Sequence, residues 1–207
     1  MTLEKPRTRI QRKNRETILN AALDVFSSEG FRGATLDQIA VAAGLSKPNL
    51  LYYFPSKETI YTEVLSSLLA TWLDPLHAID ESGDPIEEIL GYVRRKLELS
   101  RDYPRESRLF ANEIVQGAPR ILDQIEGPLR ETVDGKVALF QRWSAAGKIA
   151  QIDPYHLIFS IWATTQHYAD FSVQVRGILN TSDDAHFAEA EAFLMTLYRA
   201  TLTPGPR

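Results

Sequence analysis

The chain has 207 residues, 44% of them hydrophobic and 24% charged, with a formal net charge of −4 and no cysteine. That length and apolar content suffice for a sizeable buried core, and the missing thiols exclude disulfides, thiolate metal sites and cysteine nucleophiles. No uninterrupted apolar run approaches the roughly 18 residues needed to span a bilayer, and the basic first residues are not followed by an apolar signal core. The expectation is a cytoplasmic protein.

The charge is segregated. Residues 1–57 carry nine Lys/Arg against five Asp/Glu, net +4, so the remainder carries −8. An acidic protein of this kind can meet a polyanion only with its basic end. Lys5, Arg7, Arg9, Arg12, Lys13 and Arg15 read as a basic arm preceding a first amphipathic helix, whose pattern ends in Phe26 and Gly30.

Thr35 and Gln38 form a capping box that starts a second helix, with Leu36, Ile39, Ala40 and Ala43 as a narrow apolar stripe and Gly44 as its left-handed stop. Ser46 then caps a third helix that tolerates Pro48 in its first turn. Leu50 and Phe54, four residues apart, should face the core, leaving Lys47, Asn49, Tyr52 and Tyr53 toward water or a partner. Two short helices joined by Gly-Leu-Ser, the second too polar to be buried, fit a helix-turn-helix that lays its second helix in the major groove of DNA. Lys47 suits a guanine edge or a phosphate, Asn49 suits adenine, and the tyrosine hydroxyls suit phosphate. Ser56 and Lys57 open a fourth helix whose first turn also favours phosphate.

Downstream no strand is convincing. The fourth helix should run from Ser56 to about Ile79 with a disturbance at Pro75. Asp84 and Pro85 start a helix reaching about Asp102, and Pro104 opens one ending near Gly117. Pro119 starts a short segment and Pro128 a longer helix to about Ala146. Asp153 and Pro154 start a long helix to roughly Gly177, and Asp184 begins the last, ending near Leu202. The fold class is all-α, with a DNA-binding domain over 1–55 and a helical bundle over 56–207.

The helix beginning at Pro154 carries Trp162, Gln166 and Asp170 at four-residue spacings on one face. An indole, an amide and a carboxylate in register either face solvent or line a cavity where a polar ligand completes their hydrogen bonds. Spacing leaves both readings open. His167 reads as a structural histidine, and His77, His156 and His186 offer no metal cluster, so no metal or cofactor is assigned. Gly-x-Ser-x-Gly, phosphate-loop, His-Glu-x-x-His and dinucleotide motifs are all absent, which argues against an enzyme. Leu157, Ile158 and Ile161, with Phe193, Leu194 and Leu197, could form a dimer surface or belong to the protomer core.

From Arg15 to Leu65 the sequence resembles the DNA-binding domain of TetR-family regulators: the first-helix pattern, the Gly-Leu-Ser turn and the Phe54-Pro55-Ser56-Lys57-Glu58 junction all match. The resemblance implies a homodimer, joined through the last two helices, that binds a palindromic operator as a repressor and releases it to a small effector. It places Thr35, Ser46, Lys47, Pro48, Asn49, Tyr52, Tyr53 and Lys57 at the DNA. Many members have tyrosine where this chain has Leu51, so Tyr52 is the better phosphate-contacting aromatic. Lys96 to Pro104, Ser107 to Phe110 and Ile152 to Phe171 are further similar to a pyrimidine-responsive member of that family. This implies uracil or thymine as effector, with Trp72, Glu113, Trp162, Gln166 and Asp170 as candidate contacts.

Overall fold

The computed structural model describes residues 9–205. Helix α1 (Arg9–Gly33) is kinked at Gly30, whose φ of 67° suits only glycine well. The helices α2 (Leu36–Ala42), α3 (Lys47–Tyr53) and α4 (Lys57–His77) follow. The expected caps form: Thr35 and Gln38 make the reciprocal box, Ser46 Oγ accepts from the Asn49 amide, and Gly44 takes φ +66°. Pro75 leaves α4 intact to its last turn.

The arm differs from expectation. Arg9, Arg12, Lys13 and Arg15 lie inside α1 rather than ahead of it, because the stretch after Pro6 holds only residues that tolerate a helix, with Arg, Lys and Gln among the better formers. Lys5 and Arg7 fall outside the described residues.

The body comprises α5 (Pro85–Asp102), α6 (Pro104–Val115), α7 (Leu122–Gln124), a π-helical turn (Ile125–Leu129), α8 (Arg130–Ala145), α9 (Pro154–Asp170), α10 (Ser172–Leu179) and α11 (His186–Leu202). Two boundaries correct the sequence reading. Pro128 does not start a helix but sits in the π turn, where the Arg130 amide reaches back five residues to the Ile125 carbonyl. The wider turn accommodates a residue with no N–H to give. The helix expected to continue from Pro154 to Gly177 breaks at Phe171. Arg108 Nη1 on α6 donates to the Ala169 carbonyl at 3.2 Å, so a tertiary contact satisfies the interrupted end.

Two apolar cores result. Ile18, Ala22, Phe26, Ile39, Leu50, Phe54, Ile60 and Leu65 join α1 to α4 in the head, and that cluster extends through Leu68 to Trp72 and Leu109. Leu76, Ile89, Val93, Phe140, Ile158, Ile161 and Leu194 form the other, between α5, α8, α9 and α11. Helix α4 contributes to both, so a division at residue 55 separates α4 from a head core that its first four turns complete. Leu157, Ile158, Ile161 and Leu194, weighed as dimer surface, are buried in the protomer, whereas Phe193 and Leu197 are exposed.

Candidate nucleic-acid interface and effector cavity

Helix α3 is too short to stand alone, and the head fixes it from beneath. Leu50 and Phe54 are fully buried, each removing apolar surface worth about 2–3 kcal/mol. Arg15 fastens α1 to the same end. Its guanidinium donates to the Tyr53 carbonyl at 3.0 Å, pairs with Glu63, and lies 4.2 Å from the Phe54 ring centroid. Asn14 Nδ2 donates to Tyr53 Oη at 2.8 Å, which leaves the phenolic proton free to point outward.

This packing presents Lys47, Pro48, Asn49 and Tyr52 to solvent on one short helix. Lys47 Nζ is held 2.9 Å from Asp37 on α2, an exposed pair of the kind that exchanges readily for a phosphate or base. Gln11 Nε2 on α1 lies 3.5 Å from Tyr52 Oη. Val41 and Leu51 are exposed as well, leaving apolar surface beside the polar reading residues, of a kind that can meet a thymine methyl.

Three residues expected at the DNA have internal work. The Thr35 hydroxyl is engaged with Gln38 and the Ser46 hydroxyl with the Asn49 amide, so both hold helix starts. Lys57 Nζ donates to the carbonyls of Phe31 and Ala34, each at 2.7 Å, and lies 4.6 Å from the Phe31 ring centroid. It closes the C-terminal end of α1, leaving one N–H of its three for any other acceptor.

The second place of interest lies in the body. Leu69, Trp72 and Leu73 of α4, Lys96 of α5, Phe110 of α6, Leu129 of the π turn, and Trp162 and Gln166 of α9 surround a cavity of about 60 Å³. Trp72 and Phe110 lie nearly parallel, with centroids 6.5 Å apart and planes 14° apart. Trp162 Nε1 donates to Tyr92 Oη at 2.6 Å, whereas the buried Trp72 Nε1 has no partner. A second space of about 250 Å³ adjoins across Leu129 and Trp162, lined also by Tyr155 and Phe159.

Lys96 was not singled out in the sequence, yet it is the strongest chemical feature of this cavity. It is 2% exposed, and its Nζ lies 5.9 Å from the Trp72 ring centroid and makes no ion pair among the described residues. Burial pushes its ammonium down to about 7, partly opposed by Asp170. Asp170 is itself held above the usual carboxylate range by burial, against the opposing effects of the Ser107 hydroxyl, which donates to it at 2.6 Å, and of Arg108, Lys96 and His167.

Trp72, Trp162 and Gln166 line this one cavity. Asp170 faces Ser107 on α6 and is not part of the cavity wall. Glu113 lies apart from this cavity: it is 1% exposed, pairs with Arg120 at 3.1 Å, accepts from the Arg120 amide at 3.0 Å, and lines a different groove. Its neighbour Tyr61 is pushed up to about 12 by burial first and by that carboxylate second. The signal that could have found Lys96 is its register. Ile89, Val93 and Ser100 mark the inward stripe of α5, and Lys96 sits three residues after Val93 and four before Ser100.

A helix-turn-helix head joined by one continuous helix to a cavity-bearing helical body defines a DNA-binding protein of the helix-turn-helix class. Residues 18–64 match the description "Bacterial regulatory proteins, tetR family", and residues 65–205 match "YcdC-like protein, C-terminal region". The HTH-type transcriptional regulator RutR of Escherichia coli strain K12 is 53% identical over 172 residues, which span 83% of this chain and 81% of that protein. Among solved structures, a TetR-like transcriptional regulator from Rhodococcus sp. RHA1 superposes with a TM-score of 0.68 at 19% identity, covering 94% of this chain and 96% of that one. AibR in complex with isovaleryl coenzyme A and operator DNA superposes with a TM-score of 0.67 at 16% identity, covering 89% and 97%. The chain belongs to the TetR family of bacterial regulatory proteins, and it is a DNA-binding transcriptional regulator rather than an enzyme.

Among the described residues no helix is long and apolar enough to cross a membrane. No group of three His, Asp or Glu among them could hold a metal ion.

Proposed function

We propose that this regulator is a cytoplasmic homodimeric repressor that leaves a palindromic operator when uracil or thymine enters the cavity between α4, α5, α6 and α9. The observation that supports the reading is the unpaired buried indole N–H of Trp72, with the buried Lys96 ammonium 5.9 Å from the Trp72 ring centroid and the Gln166 amide on the same wall. Buried donors without acceptors are destabilising, and a pyrimidine imide supplies two carbonyl acceptors on a flat ring. The amide of Gln166 can pair with the donor–acceptor edge, and Trp72, Phe110 and Trp162 can cover the faces.

At about 60 Å³ the space holds only about two waters, less than a pyrimidine base requires. A bound base therefore pushes Leu129 or Trp162 toward the adjoining space, or moves α4 against α9. Trp72 lies on α4, whose N-terminus follows the reading helix directly, so outward movement of α4 tilts α3. A ligand favouring that arrangement by about 1–3 kcal/mol weakens operator binding roughly five- to hundred-fold.

One α3 offers few base contacts, whereas two related by a twofold reach half-sites about 34–36 Å apart. The exposed Phe193 and Leu197 of α11 and Phe159 of α9 support the last helices of the body as the joint. The 53% identical HTH-type transcriptional regulator RutR supports the regulatory reading. Calorimetric titration with uracil, thymine and cytosine tests it. Selective uptake of the two imides is the expected result, and no uptake by folded protein removes pyrimidines as effectors.

A further inference from the structure

Apart from the proposed effector cavity, a polar groove of about 750 Å³ lies at the seam between head and body. One wall is the kinked end of α1, from Phe26 to Arg32, and the other is α6 with Pro119 and Arg120 beyond it. Phe26, Phe31 and Tyr61 pack in its floor with centroids 4.8–6.2 Å apart.

Four guanidiniums meet here, and their partners differ. Arg105 is neutralised by Asp24 and Glu106, and Arg120 by the buried Glu113 while lying 3.6 Å from the Phe31 ring centroid. Among the described residues Arg108 donates to the Ala169 carbonyl and, at 3.4 Å, to Ser172 Oγ, and forms no ion pair. Arg32 has no hydrogen-bonding or ionic partner among the described residues. Ser27 Oγ, on the same wall as Arg32, is buried from solvent and unpaired. Asn112 and Gln116 add neutral donors along α6.

From this arrangement we infer that the groove is a second ligand site, for a small organic or inorganic anion held between Arg32 of the head and Arg108 of the body. Arg32, with no carboxylate partner among the described residues, and Arg108, whose charge acts on Asp170 without an ion pair, lie on opposing walls and suit one carboxylate or phosphate group, or the two ends of a short dianion. Ser27 Oγ supplies the buried hydroxyl that such a ligand completes. Glu29 faces the same groove with no cation partner among the described residues, and its charge disfavours extended polyanions.

The position gives the site a consequence. Helix α6 carries Arg105 and Arg108 toward this groove and Ser107 and Phe110 toward Asp170 and the effector cavity. An anion that ties Arg32 to Arg108 restrains the α1–α6 contact through which the head is held, and it adjusts operator affinity independently of the pyrimidine cavity.

The test is calorimetric titration of the full chain, at constant ionic strength in chloride, with inorganic phosphate, malonate and glutarate. Saturable uptake of at least one is expected. Arg32→Ala, an exposed substitution that leaves the packing intact, should weaken it about ten- to hundred-fold. Arg108→Gln should do the same with its thermal melt recorded alongside, while Gln166→Ala should leave anion uptake unchanged. Preference for phosphate over both dicarboxylates assigns a phosphate ligand, and the reverse assigns a carboxylate. Absence of saturable uptake for all three, or uptake undiminished in Arg32→Ala, overturns the inference.

Discussion

Replacing Lys96 by methionine should make the protein more stable and blind to its effector. The ammonium is 2% exposed and lies near 7 instead of its ordinary 10.5. The folded-state value is depressed, so the unfolded chain binds the proton more tightly. The destabilisation is absent above about 10.5, grows as pH falls toward about 7, and is constant below. A displacement of this size corresponds to about 4 kcal/mol at neutral pH, a large part of the net stability of a domain. Methionine fills a similar volume with no charge to bury. Urea unfolding of both proteins across this range should show a variant that is more stable by up to about 4 kcal/mol near neutrality, with the difference closing as pH approaches 10. Parallel profiles separated by a constant gap, or a variant less stable than the parent at neutral pH, would refute the idea that an uncompensated ammonium is stored there. Loss of uracil uptake in the more stable variant would show what the parent gains from keeping it.

If a pyrimidine carbonyl accepts from Lys96, binding should restore the ammonium. At about pH 8 titrations in buffers of different ionisation enthalpy should then reveal proton uptake, which disappears near pH 6; equal heats in all buffers at pH 8 would contradict it. On the head, Asn49→Ala should cost about 1–3 kcal/mol at particular base pairs. Lys47→Ala should weaken all duplexes alike and lower the salt slope by about one. A panel of duplexes measured at several salt concentrations separates the two. Arg15→Ala removes a carbonyl contact, an ion pair and a ring contact at the end of α3. It should lower stability by about 1–3 kcal/mol and weaken operator binding, although Arg15 is turned inward; thermal melts together with fluorescence anisotropy on labelled duplex measure both.

The head was legible because its signals are local. Capping by Thr35 and Ser46, the left-handed Gly44, and the four-residue separation of Leu50 from Phe54 each act within one turn. What proved illegible depends on distant partners. Nothing near Lys57 in sequence announces the carbonyls of Phe31 and Ala34 that hold it. Nothing near Phe171 announces that Arg108 will satisfy a broken helix. Pro128 reads equally well as a helix start or as a residue absorbed by a π turn, and only the continuity of the chain from Leu122 decides between them. In the cavity, spacing on α9 brought Trp162 and Gln166 together, but Lys96 follows Arg94 and Arg95 and reads as one more solvated cation. Glu113 is the opposite case, a carboxylate whose match with Arg120 seven residues on is not announced by its own helix.

The most direct measurement is release of DNA by the effector. A duplex selected from random sequence by the protein alone should be bound, and anisotropy of that labelled duplex should fall as uracil or thymine is added but not cytosine. Retention of the duplex at effector concentrations that saturate the cavity by calorimetry would contradict coupling between the cavity and the reading helix.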